Sequence, residues 1–288
     1  MNLFDFNKYP LSNKNYGGSE RKVGIIIDQD FYMLKFRKHT AFGIRFNDIS
    51  EYIGSHIYQL LGINCQETYL GTYDNENVVS CKDFVQKGYI FVPFNDVGES
   101  TIEEDKEKFQ YSYSHILKLL RANKKLTNVK ETITSFFDIY IVDAFLGNFD
   151  RHGSNRGFLK KDNKYILAPV FDNGSCLYPN MTDEDEMKSI INDKKEIDKR
   201  VYEFPTSQIK LNGKKSSYFK VISSLKFKEV NESLKRIYPR INLVEIFKLI
   251  DEIQIISDVH KEFYKVMLKA RYEKIIKYSY LKLSGEIK

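Results

Sequence analysis

Between Asp143 and Gly174 the chain reads DAFLGNFDRHGSNRGFLKKDNKYILAPVFDNG, and no other stretch constrains its fold as tightly. Asp150 stands five residues before Asn155, and an apolar run from Tyr165 to Phe171 then ends in Asp172-Asn173-Gly174. Phosphoryl transfer from a nucleotide needs this set of groups. One carboxylate orients the attacking hydroxyl, while an amide and a second carboxylate at a nearby strand end hold Mg²⁺ against the phosphates. The strand that delivers Asp172 is expected as the second arm of a hairpin over 156–171, turning at Lys161-Asp162-Asn163.

With 288 residues the chain can form one large domain or two lobes around a cleft. Hydrophobic residues make up 42% and charged residues 29%, the mix of an ordinary soluble globular protein. No apolar run reaches membrane-spanning length, and Asn2 to Asn15 does not read as a signal peptide, so a cytoplasmic protein without a membrane span is expected. Cys65, Cys81 and Cys176 are far apart and form no C-x-x-C pair, which supports neither a disulfide framework nor a zinc site. The net charge of +6 is spread among 39 acids, and the densest basic stretch, Lys261 to Lys282, reads as a solvated helix face. Direct nucleic-acid binding is therefore not expected as the main role.

The first part of the chain reads as strands around one helix. Strands are expected at 23–28, 31–36, 67–72 and 77–84, and a helix at 49–61 with Ile49, Ile53, Ile57, Leu60 and Leu61 on one face. Beyond about residue 100 the pattern turns helical, with helices expected at 102–121, 128–146, 183–200, 216–236, 242–251 and 257–281. The expected architecture is α+β and two-lobed, like that of protein kinases. Residues 1–95 would form a small β-rich N-lobe covering a nucleotide, and 96–288 a larger helical C-lobe with the catalytic loop and metal site.

Several residues carry candidate chemistry, each with a plainer alternative. Lys35 lies in a strongly β-forming segment, where a buried ammonium requires a partner such as a phosphate or a helix glutamate. It could equally sit on a solvent face or sheet edge. Glu51, near the start of the first helix, is the natural partner for Lys35. Asp48-x-x-Glu51 also has the form of a capping box, which would fix the helix start instead. Gly17-Gly18-Ser19, just ahead of the first strand, can cradle anionic oxygens with backbone N–H groups, or can be a simple turn. His152 could bond the transferred phosphate, orient Asp150, or bond loop backbone. Asn148 is expected to brace the loop, and Asp143 to bond backbone in preference to substrate.

The order Asp150-Arg151-His152 differs from the H-R-D of the protein-kinase loop in placing the histidine after the aspartate. Leu146-Gly-Asn148-Phe-Asp150-Arg-His152-x-x-Asn155, followed by Ala168-Pro-Val-Phe-Asp172-Asn-Gly-Ser-Cys-Leu-Tyr178, resembles the catalytic core of HipA-like kinases, nearest to their compact CtkA-type members. The likeness extends to Tyr32-Met-Leu-Lys35-Phe, to Val78-Val-Ser-Cys-Lys-Asp-Phe84 and to Arg236-Ile-Tyr-Pro-Arg-Ile241, and so runs through nearly the whole chain.

That resemblance implies a serine/threonine protein kinase using ATP and Mg²⁺, with tyrosine as a further acceptor and with autophosphorylation. Asp150 would be the catalytic base, with His152 beside it, and Asn155 and Asp172 the metal ligands. Lys35, paired with Glu51, would hold the α- and β-phosphates. Gly17, Gly18 and Ser19 would cover them, and the backbone from Lys82 to Phe84 would meet adenine. The family's serine-rich phosphate loop is replaced here by Lys14-Asn15-Tyr16-Gly17, which leaves Ser12 and Ser19 as the nearby candidates for self-modification. The chain is also expected to lack the N-terminal domain through which large members meet a DNA-binding antitoxin. A protein substrate is the implied partner, and an antitoxin or other regulator remains open. Two other readings stand beside this one. The first is a phosphoinositide kinase, since lipid kinases share D-R-H-x-x-N. The second is a nucleotide-binding pseudokinase or toxin-partner module, against which the filled catalytic positions argue.

Overall fold

In the computed structural model, residues 3–17, 21–41, 43–97, 112–122, 126–207 and 209–287 are described. A five-stranded sheet, order β1-β6-β7-β3-β2, forms the N-terminal part. Its strands are β1 (Phe4–Asp5), β2 (Lys22–Ile27), β3 (Asp30–Phe36), β6 (Thr68–Tyr73) and β7 (Glu76–Lys82). The small ladder of β4 (Lys38–Thr40) and β5 (Gly43–Arg45) leads into helix α1 (Asn47–Leu60). The two hairpins turn tightly: Asp28 and Gln29 have φ of 48° and 71°, and Asp74 and Asn75 have 50° and 63°. Positive φ at both central residues matches the right-handed twist of the flanking strands.

Alternation along β3 decides which side chains reach the cleft. Tyr32, Leu34 and Phe36 pack with Phe6, Ile25 and Val78 in a small core on one face. Met33 and Lys35 therefore face the other way, into the cleft. Helix α1 covers that same face and buries Ile49, Ile53, Ile57 and Leu61, as the spacing predicts, but Leu60, expected on the same face, is turned out and 45% exposed at the helix end.

The rest of the chain is mainly helical. β8 (Ile90–Pro93) and α2 (Phe94–Val97) are followed by α3 (Tyr113–Ala122), α4 (Val129–Leu146) and the hairpin of β9 (Gly157–Lys161) and β10 (Lys164–Leu167). Then come α5 (Glu184–Asn192), α6 (Lys194–Tyr202), α7 (Tyr218–Ser223), α8 (Lys228–Ile237) and α9 (Leu243–Asp251). α10 (Asp258–Arg271) runs through a π-helical stretch at Tyr272–Lys277 into α11 (Tyr278–Ser284). β8 pairs with β9, so the β9–β10 hairpin is part of a three-stranded sheet.

Helix α4 is the axis of this part, buried without a break from Phe136 to Leu146. Asn128 caps its start by accepting from the N–H of Glu131, and Gly147 ends it in the left-handed conformation at φ 67°. Because the helix stops there, the loop carrying Asp150 starts at a fixed point.

The expected α+β, two-part architecture is the one observed. Two helix expectations differ in detail. The helix expected at 183–200 is two helices, because Asp193 ends α5 and caps α6 through the N–H of Lys195. The helix expected at 216–236 is broken between α7 and α8, with Leu225 at φ 53°. Of the helix expected at 102–121, residues 102–111 lie outside the described residues, and the described part is helical from Tyr113 in α3. All three cysteines are free and buried, and among the described residues no helix is long and apolar enough to cross a membrane.

Candidate active site

Lys35 is 7% exposed, and its ammonium lies 2.8 Å from Glu51 Oε2 and 3.0 Å from Asp172 Oδ1. Burial works against its charge, but the carboxylates of Asp172 and Glu51 outweigh that and hold it well above the usual lysine range. Glu51 is fully committed to this contact, since its Oε1 accepts the N–H of Asn173 at 2.8 Å. The capping-box arrangement is not formed. Phe46 occupies the N-cap with no side-chain bond, and Asp48 pairs with Arg37 at 2.8 Å. A carboxylate buried beside an ammonium gains more from that charge than a helix terminus could offer.

The loop that carries Asp150 hangs from Asp143 in the last turn of α4. Asp143 Oδ1 accepts from the Tyr58 hydroxyl at 2.8 Å and from Asn148 Nδ2 at 2.9 Å, and Oδ2 faces Arg151 Nε at 3.1 Å. Its partners are side chains, which corrects the expectation that it bonds backbone. Asn148 braces the loop as expected, its Oδ1 accepting the N–H of Asp150 at 3.0 Å. Arg151 is fully buried and extends the same frame. It donates to the carbonyls of Asn155, at 3.0 Å, and Phe171, and to Asn173 Oδ1. One guanidinium thus ties the Asp150 loop to the Asp172 turn.

Asp150 itself is about half exposed to the cleft. Partial burial raises its carboxyl above the usual range, His152 opposes that, and Asp172 adds to it. His152 Nδ1 accepts the N–H of Ser154 at 3.2 Å, so in the neutral ring Nε2 carries the proton, 3.8 Å from Asp150 Oδ1. Asn155 Nδ2 donates to the carbonyl of Asp150 at 2.9 Å, which leaves its side-chain oxygen as the atom that can ligate a metal.

Asp172 adopts φ 57°, a left-handed conformation that a non-glycine residue keeps only when its surroundings enforce it. Here they do. Asn173 is wholly buried, bonded through Nδ2 to Ser55 Oγ at 3.0 Å and through its N–H to Glu51. Lys35 draws the Asp172 carboxyl below the usual range against the opposing effect of partial desolvation. α1 approaches this turn so closely that a Cβ at Gly54 would lie 2.8 Å from Asn173 Cβ.

These groups line a cleft of about 970 Å³. One end is apolar, with Met33 and the mutually packed rings of Phe84, Phe91 and Phe171. The other holds Lys35, Asp150, Asn155 and Asp172. The volume suits a nucleotide. The polar end suits Mg²⁺, which takes one or two protein ligands and completes its shell with phosphate oxygens and water.

Gly17 lines the mouth, while Gly18 and Ser19 fall outside the described residues. Just before Gly17, the Tyr16 hydroxyl donates to Asp83 Oδ2 at 3.3 Å, and Lys14 pairs with the same carboxylate. Lys82 is not brought into the cleft. Its ammonium bonds Asp30 at 2.8 Å, and its N–H and carbonyl are taken by the Glu67 carbonyl and Gln66 Nε2. Asp83, Phe84 and Val85 line the wall there instead.

Sequence reasoning did not single out Arg45. It enters the cleft from β5, donating to Ser175 Oγ at 2.8 Å and the Gly174 carbonyl at 3.3 Å, with a buried Nε that has no partner among the described residues. Arg151 and Gly54 were also missed as site residues. An Asp143-to-Arg151 spacing carries no local signal, but a glycine inside an otherwise good helix is a sign of close approach.

The family described as HipA-like C-terminal domain matches residues 15–252. The serine/threonine-protein kinase CtkA of Helicobacter pylori is 36% identical over 285 residues, covering 96% of this chain and 87% of that protein. The crystal structure of a Helicobacter pylori proinflammatory kinase CtkA superimposes with a TM-score of 0.90 at 34% identity, covering 99% of both chains. HipA in the Shewanella oneidensis HipA, HipB and operator DNA complex matches with a TM-score of 0.62 at 15% identity, over 100% of this chain and 70% of that one.

Proposed function

The chain belongs to the HipA-like C-terminal domain family and is a protein kinase, and from that premise we propose that it transfers the γ-phosphoryl group of ATP, with Mg²⁺, to a serine or threonine hydroxyl of a protein. The observation that carries this reading is the placement of Lys35 between Glu51 and Asp172, in the same cleft as Asp150 and Asn155.

In this reading adenine rests at the apolar end, against Phe84 and Met33, and the phosphates run toward Lys35. The segment at Gly17 covers them, and residues 1–95 act as the covering lobe. Asn155 and Asp172 would hold Mg²⁺, which would neutralise charge on the phosphate oxygens. Glu51 keeps Lys35 extended toward the phosphates. Asp150 accepts the proton of the acceptor hydroxyl as that oxygen bonds to the γ-phosphorus and the bond to the β-phosphate oxygen breaks. His152 sits within 3.8 Å of the Asp150 carboxylate and favours its charged form. The 15% likeness to HipA carries the fold and not its HipB or DNA partners.

Intact-mass and peptide mass spectrometry after incubation with ATP and Mg²⁺, with a lysate as acceptor, tests the reading. Added phosphate on protein with the natural chain, and none with Asp150→Asn, is the expected result. Nucleotide binding without phosphate transfer under any condition would sink it.

A further inference from the structure

Phe149 precedes Asp150 in the chain, yet its ring lines a second groove, of about 480 Å³, distinct from the nucleotide cleft. The Phe149 and Phe204 ring centroids are 5.9 Å apart, and those of Phe204 and Tyr178 are 6.2 Å apart. An aromatic floor thus runs outward from the loop that presents Asp150, with Met181 beside it. Phe204 leaves 45% of its surface in water.

This floor is held in place from below. The Tyr178 hydroxyl donates to the Arg200 carbonyl at 2.7 Å, and the fully buried Arg271 donates to the same carbonyl at 2.8 Å. The rim is unequal in charge. Arg200 is matched by Glu186 and Glu196, whereas Lys199 is exposed and has no carboxylate within ion-pair distance among the described residues. A fixed apolar floor with one unmatched cation suits an extended peptide, and offers no row of cations for a nucleic-acid backbone.

We propose that this groove seats the acceptor segment of the protein substrate, with an apolar side chain on Phe149, Phe204 and Tyr178 and an acidic one beside it at Lys199. The inference rests on the protein-kinase reading above. Consecutive Cα atoms lie ~3.8 Å apart and an extended peptide advances ~3.3 Å per residue, so the apolar residue falls about one to three positions from the phosphorylated hydroxyl.

Positional scanning with serine-centred peptide libraries and radiolabelled ATP tests this, comparing the natural chain with Phe204→Ala and Lys199→Glu. Selectivity is read as a ratio within each protein, so a general loss of activity cancels. The natural chain should favour a large apolar residue over glycine by about tenfold at one of those positions, the scale of a single apolar pocket contact. Phe204→Ala should reduce that ratio to about threefold or less, and Lys199→Glu should turn a preference for Asp or Glu into one for Lys or Arg. If the natural chain phosphorylates peptides and both variants keep its preferences, the groove assignment is overturned while the kinase reading stands. If it phosphorylates no peptide and no lysate protein, both fall.

Discussion

Lys35 Nζ lies 2.8 Å from Glu51 Oε2 across the seam between β3 and α1, and 3.0 Å from Asp172 Oδ1 on the far side of the cleft. One ammonium therefore joins the sheet, the helix and the proposed metal-binding turn. Its two carboxylates are unequally buried, Glu51 being enclosed and Asp172 open to the cleft. The enclosed one holds Lys35 in place, and in the proposed reading the open one is free to exchange partners for phosphate.

Lys35→Met should lower kcat/KM by about 10²–10³-fold, the usual effect of removing a preorganised electrostatic contact to the reacting group. It also leaves Glu51 buried without its cation, which should cost roughly 3–5 kcal/mol of stability. Glu51→Gln should lower activity less. The double variant should be little worse than Lys35→Met alone, because the two act as a unit. Kinetics with chemical denaturation measure both effects, and additive losses in the double variant would contradict the coupling.

Gly54→Ala sets two effects of opposite sign against each other. Helix propensity favours alanine by about 1 kcal/mol. The new methyl would lie 2.8 Å from Asn173 Cβ, and Asn173 is pinned by Glu51, Ser55 and Arg151 and has no room to yield. Overpacking of this kind costs about 1–3 kcal/mol, so a net destabilisation is expected, with a fall in kcat as the Asp172 turn shifts. A variant more stable than the natural chain and fully active would show that α1 and the turn are not in the tight contact described here.

How far the sequence announced all this depends on where each residue finds its partner. Asp150, Asn155 and Asp172 could be read because their meaning lies in mutual spacing along the chain. Glu51 could be read only as two alternatives, since Asp48 is three residues away and Arg37, the partner that claims Asp48, is not adjacent in any pattern. Arg45, Arg151 and Asp143 act through contacts that the fold alone creates. The turn residues Lys161-Asp162-Asn163 signalled the hairpin of β9 and β10, whereas Ile90 to Pro93, four residues ending in proline, gave too short a pattern to mark β8. The break at Asp193 had a signal that helical periodicity across 183–200 overrode: an aspartate able to cap the next helix.

Stability should fall as pH drops below about 6.5, through His260. The ring packs against Phe46, with centroids 4.3 Å apart, and its buried Nε2 has no hydrogen-bond partner among the described residues. Burial holds its pKa down to about 4, against an ordinary 6.5. Between those values the unfolded chain binds a proton that the folded chain does not, so protonation favours unfolding. The full contribution is present above pH 6.5, and roughly 3 kcal/mol is lost as pH falls to about 4. Denaturation at pH 7.5 and pH 4.5 should show this difference shrinking in His260→Phe; an unchanged pH dependence would remove His260 as its source.

Arg151→Lys keeps the charge and loses the fork. The guanidinium spans Asp143, the carbonyls of Asn155 and Phe171, and Asn173 Oδ1, in directions that no single ammonium can cover. Lysine can still neutralise Asp143, but it leaves at least one buried acceptor unsatisfied at about 1–3 kcal/mol. Arg151→Met also removes the cation beside buried Asp143 and should cost more, roughly 3–5 kcal/mol. In activity the two should converge, at about 10²-fold below the natural chain, because either change severs the tie that fixes the Asp150 loop relative to the Asp172 turn. Separating stability, by denaturant midpoint, from kcat, measured well below that midpoint, distinguishes the two roles. If Arg151→Lys folds at reduced stability yet retains full kcat, Arg151 holds the fold together and has no part in aligning the two acids.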